Sequence, residues 1–224
     1  MYNHLISTQR SQFFAYKRCN KSAKFIADSL GVHISTIYRE LSRNCNKGVS
    51  ARNIPNRISI SERPAEANGK RFGDWEMDLI MGKNGYQAIL VLVERSTGYV
   101  IIHRLKHGKK AKELAKAVGR LLFAYRAEGV LTITTDNGSE FSQHQLITKA
   151  LNGVKIYFAD PYAPYQKGPV EYTNKLIRQY IPKGSDFDDF SPRDLMEIQK
   201  KPNSGPRKKL NFSNPKNEFF KHFR

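Results

Sequence analysis

Cysteine, acidic residues and long apolar runs are all scarce in this 224-residue chain. Its two cysteines, Cys19 and Cys45, form no Cys-x-x-Cys pattern. This argues against a disulfide framework or a zinc site and favours a reducing cytoplasm. The longest apolar run, Ala88 to Val93, has the length of a strand and is too short to span a bilayer. Residues 1–10 also lack the apolar h-region of a signal peptide.

The scarcity of acidic residues leaves a strongly basic chain. Lysine and arginine together number 38 against 20 aspartates and glutamates, which gives a formal net charge of +18. Such a charge attracts polyanions, and nucleic acid is the first partner that it indicates. A membrane surface is an alternative, although the sequence contains no basic amphipathic helix. A soluble basic protein with no polyanion partner is the remaining alternative.

Residues 1–48 predict a small helical module. Ser22 is expected to cap a first helix that Gly31 ends, and Ser35 is expected to cap a second helix. This is the pattern of a helix-turn-helix, whose second helix enters the major groove of DNA. The side chains expected to contact bases or phosphates are those of Ser35, Thr36, Tyr38, Arg39 and Arg43. An ordinary αα-hairpin is the alternative interpretation.

The rest of the chain predicts a linker followed by an α/β domain. Prolines, Gly69 and scattered charges interrupt any periodicity over residues 49–70, which is typical of a linker. Residues 71–224 predict the order β-β-β-α-β-α-β-α, followed by a basic segment and a phenylalanine-rich end. Three strands in a meander and then alternating helices and strands indicate a mixed sheet with helices on both faces.

Three acidic residues stand at the points of this domain where a site is expected. Asp78 lies within a strand, Asp136 ends a strand, and Glu171 opens a helix. If the first and fourth strands pair in parallel, Asp78 and Asp136 become neighbours at the edge where ligands bind in open α/β sheets. Glu171 can then reach over from its helix. Three carboxylates of this kind can hold two Mg²⁺ ions, the arrangement that cuts and joins phosphodiester backbones.

Each of these acids also has a structural interpretation. Asp78, with Asp74 and Glu76, would decorate a solvated strand face. Asp136 before Asn137 would form a turn, and Glu171 would be a first-turn acid that the helix dipole favours. Taken together in a basic chain with this element order, the three favour the metal site, and their mutual repulsion predicts that at least one pKa is raised.

At these residues the chain resembles a known family. The segments GDWEMDLIMG (73–82), TTDNGSEF (134–141) and GPVEYTNKLIRQYIPKG (168–184) are similar to the three acidic motifs of bacterial insertion-sequence transposases of the IS-thirty family. These transposases belong to the wider superfamily of DDE transposases and retroviral integrases. The resemblance covers residues 1–48 and nearly all of 52–224, and 34 residues separate the second acid from the third.

The resemblance implies an RNase H-like catalytic domain that binds Mg²⁺ or Mn²⁺ as two ions through Asp78, Asp136 and Glu171. It implies cleavage and strand transfer at the terminal inverted repeats of a mobile element, with double-stranded target DNA as the second substrate, in the bacterial cytoplasm at the nucleoid. Arg178 falls on a motif position and is expected to contact DNA. Because two ends must meet, a homodimer or higher oligomer in a synaptic complex is expected.

Two departures from the family pattern modify this expectation. Family members carry a second DNA-binding segment before the catalytic domain, whereas here residues 48–51 run almost directly into residues 52–55. A block of roughly a hundred residues, a domain's worth, is expected to have been deleted. Tyr172 also stands where asparagine is usual. The alternatives are therefore a catalytically inactive DNA-binding remnant that represses full-length relatives, and a nuclease of RNase H type.

Overall fold

The structure is a computed structural model, and it describes residues 5, 7–19, 21–43, 54–160 and 163–223. The chain divides into two compact units, residues 1–50 and residues 51–224. None of the described helices combines the length and apolar character that a bilayer-spanning segment requires.

The described part of the first unit contains three helices that pack around a small apolar core. They are α1 Ser7–Arg18, α2 Ala23–Leu30 and α3 Ile34–Arg43. Phe13 from α1 and Ile37 from α3 are fully buried, and Ala27 from α2 is buried between them in the same cluster. The small side chain of Ala27 lets the helices approach closely, as its position in the sequence suggests.

The two predicted caps in this unit have different outcomes. Ser22 caps α2 as predicted, because its hydroxyl accepts the backbone N–H of Phe25, and Gly31 ends that helix with a φ of 62°. The prediction for Ser35 is wrong, since this residue lies inside α3. His33 takes the capping position instead, and its Nδ1 accepts the backbone N–H of Ser35 at 3.2 Å.

The second unit is built on a six-stranded sheet in the order β1-β6-β5-β2-β3-β4. Its strands are β1 Ile58–Ser59, β2 Asp74–Met81, β3 Ala88–Glu94, β4 Val100–Leu105, β5 Thr132–Thr135 and β6 Lys155–Phe158. Its α-helices are α4 Ala111–Leu122, α5 His144–Ala150, α6 Gly168–Ile177, α7 Pro192–Ser204 and α8 Pro215–Lys221.

The pairing of these strands agrees with the predicted order of elements. Strands β2, β3 and β4 form an antiparallel meander, and β2 pairs with β5 in parallel, with Trp75 opposite Ile133. Strands β5 and β6 are also parallel. The fold therefore has the mixed sheet that was predicted, and it brings Asp78 and Asp136 onto adjacent strands.

Helices cover both faces of this sheet, as predicted. One apolar cluster joins Trp75 and Met77 of β2 to α4, α5 and Phe219 of α8. The other joins Ile80, on the opposite face of β2, to Val170 and other residues of α6 and α7. The central strand β3 is buried along its whole length because both clusters pack against it.

Residues 54–70, which were assigned to the linker, pack as part of the second unit. Ile58 and Ser59 form β1, which pairs in parallel with β6 and extends the sheet by one strand. Ser59 and Glu62 then form a reciprocal capping box around a short 3₁₀ turn. The prolines and glycine that interrupt periodicity here mark turns in a folded segment, not a flexible connection.

Candidate active site

Three acidic side chains share one face of β2, because alternate residues of a strand point the same way. Asp74 and Glu76 are fully buried, and Asp78 is partly buried with 20% of its side chain exposed. Trp75 and Met77 point to the opposite face and its apolar core. The structure thus contradicts the alternative of a solvated acidic face, since two of the three carboxylates are out of reach of water.

A buried ammonium group joins two of the three predicted catalytic acids. Lys167 Nζ lies 3.4 Å from Asp78 Oδ1 and 3.4 Å from Asp136 Oδ2. The lysine side chain is only 8% exposed, so this contact is largely shielded from solvent. The two aspartates come from adjacent parallel strands and meet at one point, as the sequence predicted.

The two carboxylate oxygens of Asp136 make different contacts, one within a turn and one within the site. Its Oδ1 accepts the backbone N–H of Gly138 at 3.0 Å, which is the Asx-turn expected of this sequence. Its Oδ2 faces Lys167. The next residue, Asn137, donates to the carbonyl of Ala159 and accepts from Arg57 Nε at 2.6 Å. The turn interpretation and the site interpretation of Asp136 are therefore compatible.

Helix α6 carries the remaining polar groups of the site. Asn174 Nδ2 donates to Asp78 Oδ2 at 2.8 Å, and Asn174 Oδ1 is buried without a hydrogen-bond partner among the described residues. Glu171 lies in the first turn of the same helix and is partly exposed. Within the described residues, no group of three or more His, Cys, Asp or Glu side chains is close enough to hold one ion. Asp78 and Asp136 therefore both contact Lys167. Glu171 lies near them but does not contact this lysine.

The pKa shifts reflect this concentration of negative charge. Burial raises the pKa of Asp78, and the nearby carboxylate of Asp136 raises it further against the opposing effect of Lys167. Burial also raises the pKa of Glu171 and of Glu140, and Asp78 adds to both shifts. The pKa of Lys167 is raised overall, because the two aspartates outweigh the effect of its burial. The predicted rise of at least one carboxyl pKa is therefore present.

Asp78→Asn is expected to raise the melting temperature of the metal-free protein at pH 7, because it removes a carboxylate that burial and Asp136 disfavour. A raised folded-state pKa means that protonation stabilises the fold as the pH falls through that pKa, and that this stability is absent above it. The advantage of the variant should therefore shrink on acidification. Calorimetry in EDTA over a range of pH measures it, and a variant that melts lower at pH 7 would contradict the assigned shift.

Asp186→Asn is the control with the opposite sign. The backbone N–H of Asp188 and the side chain of Gln87 lower the pKa of Asp186 by hydrogen bonding to its carboxylate. The stability contributed by this group is present above the ordinary aspartate pKa and is lost as the pH falls through the lowered one. Replacing it should therefore lower the melting temperature at pH 7.

The residues that were predicted to contact DNA differ in how exposed their side chains are. On α3, Tyr38 and Arg39 are exposed, whereas Ser35 and Thr36 are partly buried. The Arg43 side chain lies outside the described residues. Arg178 is engaged within the fold, because its guanidinium donates to the backbone carbonyls of residues 81, 181 and 182, with Nη2 2.8 Å from Met81 O, and its contact with DNA stays a prediction. These bonds tie the end of α6 to the end of β2.

Four polar residues that support the site were missed in the sequence. They are Lys167, Glu76, Arg57 and Arg95. Glu76 was visible in the alternation of β2, but only the sheet shows that its carboxylate is buried against Arg95 at 2.9 Å. Arg57 stands beside the alternating residues 58–60, a weak strand signal that could have identified this segment as folded.

Comparison with known proteins agrees with this geometry. Residues 66–164 match the family described as the integrase core domain. The chain is 42% identical over 181 residues to the transposase for insertion sequence element IS4351 of Bacteroides fragilis, covering 80% of this chain and 53% of that protein. It is 38% identical over 166 residues to the transposase InsI for insertion sequence element IS30A of Escherichia coli, covering 73% and 42%.

A solved structure shows the same fold. The catalytic core domain of BIV integrase matches with a TM-score of 0.52 and 21% sequence identity, covering 67% of this chain and 95% of that one. The second unit therefore has the RNase H-like architecture that the motifs implied. The chain spans about half the length of the transposases that it matches.

The integrase and transposase families imply dependence on a divalent metal, and the residues of the site fit one. Asp78 and Asp136 offer hard carboxylate oxygens, which suit Mg²⁺ and Mn²⁺. The Lys167 ammonium already lies between them. On the same helix as Glu171, the buried Asn174 Oδ1 atom has no hydrogen-bond partner in the part of the chain that the structure describes. The resemblance that the three motifs indicated is thus confirmed: residues 66–164 match the integrase core domain, and the chain is similar to insertion-sequence transposases of the IS-thirty family.

Proposed function

We propose that the protein is a DNA transposase that cleaves and joins DNA strands at the ends of an insertion sequence. The observation that carries this proposal is the meeting of Asp78 and Asp136, from adjacent parallel strands, at one buried lysine beside the helix of Glu171. The similarity to transposases supports it. Because the chain spans about half the length of those relatives, the activity of the whole protein is part of the proposal.

In this proposal Asp78, Asp136 and Glu171 hold two Mg²⁺ or Mn²⁺ ions. When bound, such ions lower the pKa of an attacking water or 3′-hydroxyl and stabilise the charge that develops on the leaving oxygen. Asn174 keeps the Asp78 carboxylate in one orientation through its 2.8 Å hydrogen bond. The Asx-turn does the same for Asp136, so the two aspartates are held in place before any substrate binds.

Lys167 supplies a positive charge at the place where a phosphodiester must approach. It is held by two carboxylates in a mostly buried position, so its ammonium has little freedom to move. The two carboxylates offset its charge, and metal ions held by those carboxylates would leave the ammonium available to a phosphate oxygen in a site of low dielectric. We assign Lys167 to holding the phosphate of the strand that reacts.

The first unit and the overall charge suit binding to double-stranded DNA. We assign residues 1–48 to a helix-turn-helix that recognises terminal inverted repeats through Ser35, Thr36, Tyr38, Arg39 and Arg43, and the core from residue 71 to the catalytic domain. The net charge of +18 favours binding to DNA through counterion release. A homodimer or higher oligomer, acting at the bacterial nucleoid, completes the proposal.

A strand-transfer assay with the purified full chain tests this function. A duplex oligonucleotide that carries the inverted repeats of the element is incubated with Mn²⁺ or Mg²⁺, and a plasmid serves as the target. Metal-dependent nicks at the repeat ends and joined products are the expected result. Cleavage of an RNA–DNA hybrid in preference to duplex DNA would indicate a nuclease of RNase H type. Binding of the repeats without Mn²⁺ binding or cleavage would indicate an inactive remnant.

Arg39→Ala is expected to weaken binding to the repeats and to flatten its salt dependence. If Arg39 contacts one phosphate, the slope of log K against log salt should fall by about 0.9. Fluorescence anisotropy over a range of salt concentrations measures this. Lys24→Ala is the matched control, since Lys24 is an exposed cation on α2 and not on the predicted recognition helix. An unchanged slope for Arg39→Ala would argue against the contact.

A further inference from the structure

Glu76 has a buried carboxylate whose two oxygen atoms face different parts of the fold. Its Oε2 accepts the backbone N–H of Val170 at 3.0 Å, and its Oε1 lies 2.9 Å from Arg95 Nε. The glutamate is fully buried. The contact with Arg95 is an ion pair without hydrogen-bond geometry, and Arg95 is itself held by donating to the carbonyl of Ala67.

Glu76 provides a hydrogen-bond acceptor that the residues at the start of helix α6 do not provide themselves. The first N–H groups of a helix have no acceptor within the helix itself. At the start of α6, the side chain of Lys167 makes no capping hydrogen bond, and Pro169 has no N–H to donate. The carboxylate of Glu76 therefore caps this helix from the sheet, and its negative charge suits the positive end of the helix dipole.

This bond connects the two elements that carry catalytic acids. Glu76 stands two residues before Asp78 on β2, and Val170 stands directly before Glu171 on α6. A second bond joins the same two elements one turn later, where Asn174 donates to Asp78. Together with the bond from Arg178 to Met81 O beyond the other end of the helix, these attachments hold α6 against β2, and the Glu76 bond is the one that holds its first turn.

We propose that Glu76 is a positioning residue, whose carboxylate holds the start of α6 so that Glu171 faces Asp78 and Asp136. The inference rests on the proposed function, since it assigns Glu76 to the same metal-dependent site. Groups that orient metal ligands without touching the ion commonly change metal affinity by about 10-fold to 100-fold when they are removed. Loss of the Glu76 carboxylate is expected to have this effect, beyond any loss of stability.

Asp74 offers a matched control for burial and charge. It is as fully buried as Glu76 and lies two residues earlier on the same face of β2. Its carboxylate, however, bonds to Arg71 and to the hydroxyl of Thr132, away from α6. Asp74→Ala should therefore destabilise the protein without moving Glu171.

The experiment uses the full chain with Glu76→Ala, Glu76→Gln or Asp74→Ala. For each variant, the Mn²⁺ affinity is measured by calorimetry, and the melting temperature is measured separately. Glu76→Ala should bind Mn²⁺ at least about 10-fold more weakly than Asp74→Ala. Glu76→Gln should lie between Glu76→Ala and the unaltered protein, because an amide oxygen can accept the Val170 N–H but is a weaker acceptor than a carboxylate. Equal Mn²⁺ affinities for Glu76→Ala and Asp74→Ala would overturn the inference.

A second measurement is independent of metal binding and of catalysis. Hydrogen–deuterium exchange over residues 168–177 is compared between Glu76→Gln and Asp74→Asn, two substitutions that preserve side-chain volume. Exchange should become faster at the start of α6 in Glu76→Gln alone, and equal exchange in the two variants would overturn the inference. An unaltered protein that binds no Mn²⁺ would refute the proposed function instead, while the exchange experiment would still decide the role of Glu76.

Discussion

Asp136→Asn is expected to abolish metal-dependent cleavage and joining of DNA while leaving the fold intact. Asparagine has the same shape as aspartate, and its side-chain oxygen can still accept the N–H of Gly138 that closes the turn. What the variant loses is a negative oxygen at the position that faces Lys167 and Asp78. Stabilisation of the transition state by metal ions amounts to several kcal/mol, so we expect a loss of roughly 10³-fold or more in rate.

Asp160→Asn is the matched control for this experiment. Asp160 follows β6 at the same edge of the sheet where Asp136 follows β5, but its carboxylate bonds to Gln166. This variant should retain activity close to that of the unaltered protein. Strand-transfer assays with both variants, together with their melting temperatures, measure the difference. A fully active Asp136→Asn variant would remove the proposed chemistry, and equal losses in both would indicate a general effect of charge at this edge.

The sheet was predictable because its signals are local. Alternation along β2, the apolar run of β3 and the turn residues after β5 each follow from a few neighbouring residues. The parallel pairing of β2 with β5 then follows from the order of elements, and it is this pairing that brings Asp78 beside Asp136. The two aspartates of the site could therefore be placed from the sequence alone.

The residues that support those aspartates could not be placed in the same way. Lys167 is one of 38 cations in the chain, and nothing in its neighbours distinguishes it from a solvated lysine. Its burial depends on where α6 begins relative to the sheet, which is a long-range property. Likewise β1 has only two residues, so its periodic signal is weak, and its pairing with β6 brings Arg57 to Asn137 across 80 positions of the sequence.

Local competition for hydrogen bonds explains why one expectation failed, and it also affects Arg178. Ser35 is a favoured capping residue, but the ring of His33 accepts the N–H of Ser35, so the cap and the start of the helix lie two residues earlier than predicted. Arg178 stands in a motif and carries the charge that a DNA contact needs. Three backbone carbonyls, one at the end of β2 and two beyond the end of α6, engage its guanidinium, and the DNA contact stays a prediction.

The members of the phenylalanine-rich end of the chain differ sharply in burial. Phe219 is fully buried on α8, where its ring contacts Trp75, Tyr99 and Tyr125 at centroid distances of 5.7, 4.2 and 5.1 Å. Phe212 is 74% exposed. Because Trp75 directly precedes Glu76, the packing of α8 supports the strand that carries the acidic face.

Phe219→Ala is accordingly expected to lower the free energy of unfolding by about 3–5 kcal/mol, the cost of deleting a fully buried phenylalanine ring. The loss combines the apolar surface no longer buried with a cavity among rigid aromatic neighbours that cannot collapse into it. Phe212→Ala is the control from the same part of the chain, and it should change stability by no more than about 0.5 kcal/mol. Urea unfolding of both variants measures the two values.

Similar values would mean that α8 lies on the second unit without contributing to its core. The contact between Phe219 and Trp75 of β2 would then have no consequence for the acidic site. A large difference would make the integrity of the site depend on a helix more than 40 residues beyond Glu171 in the sequence.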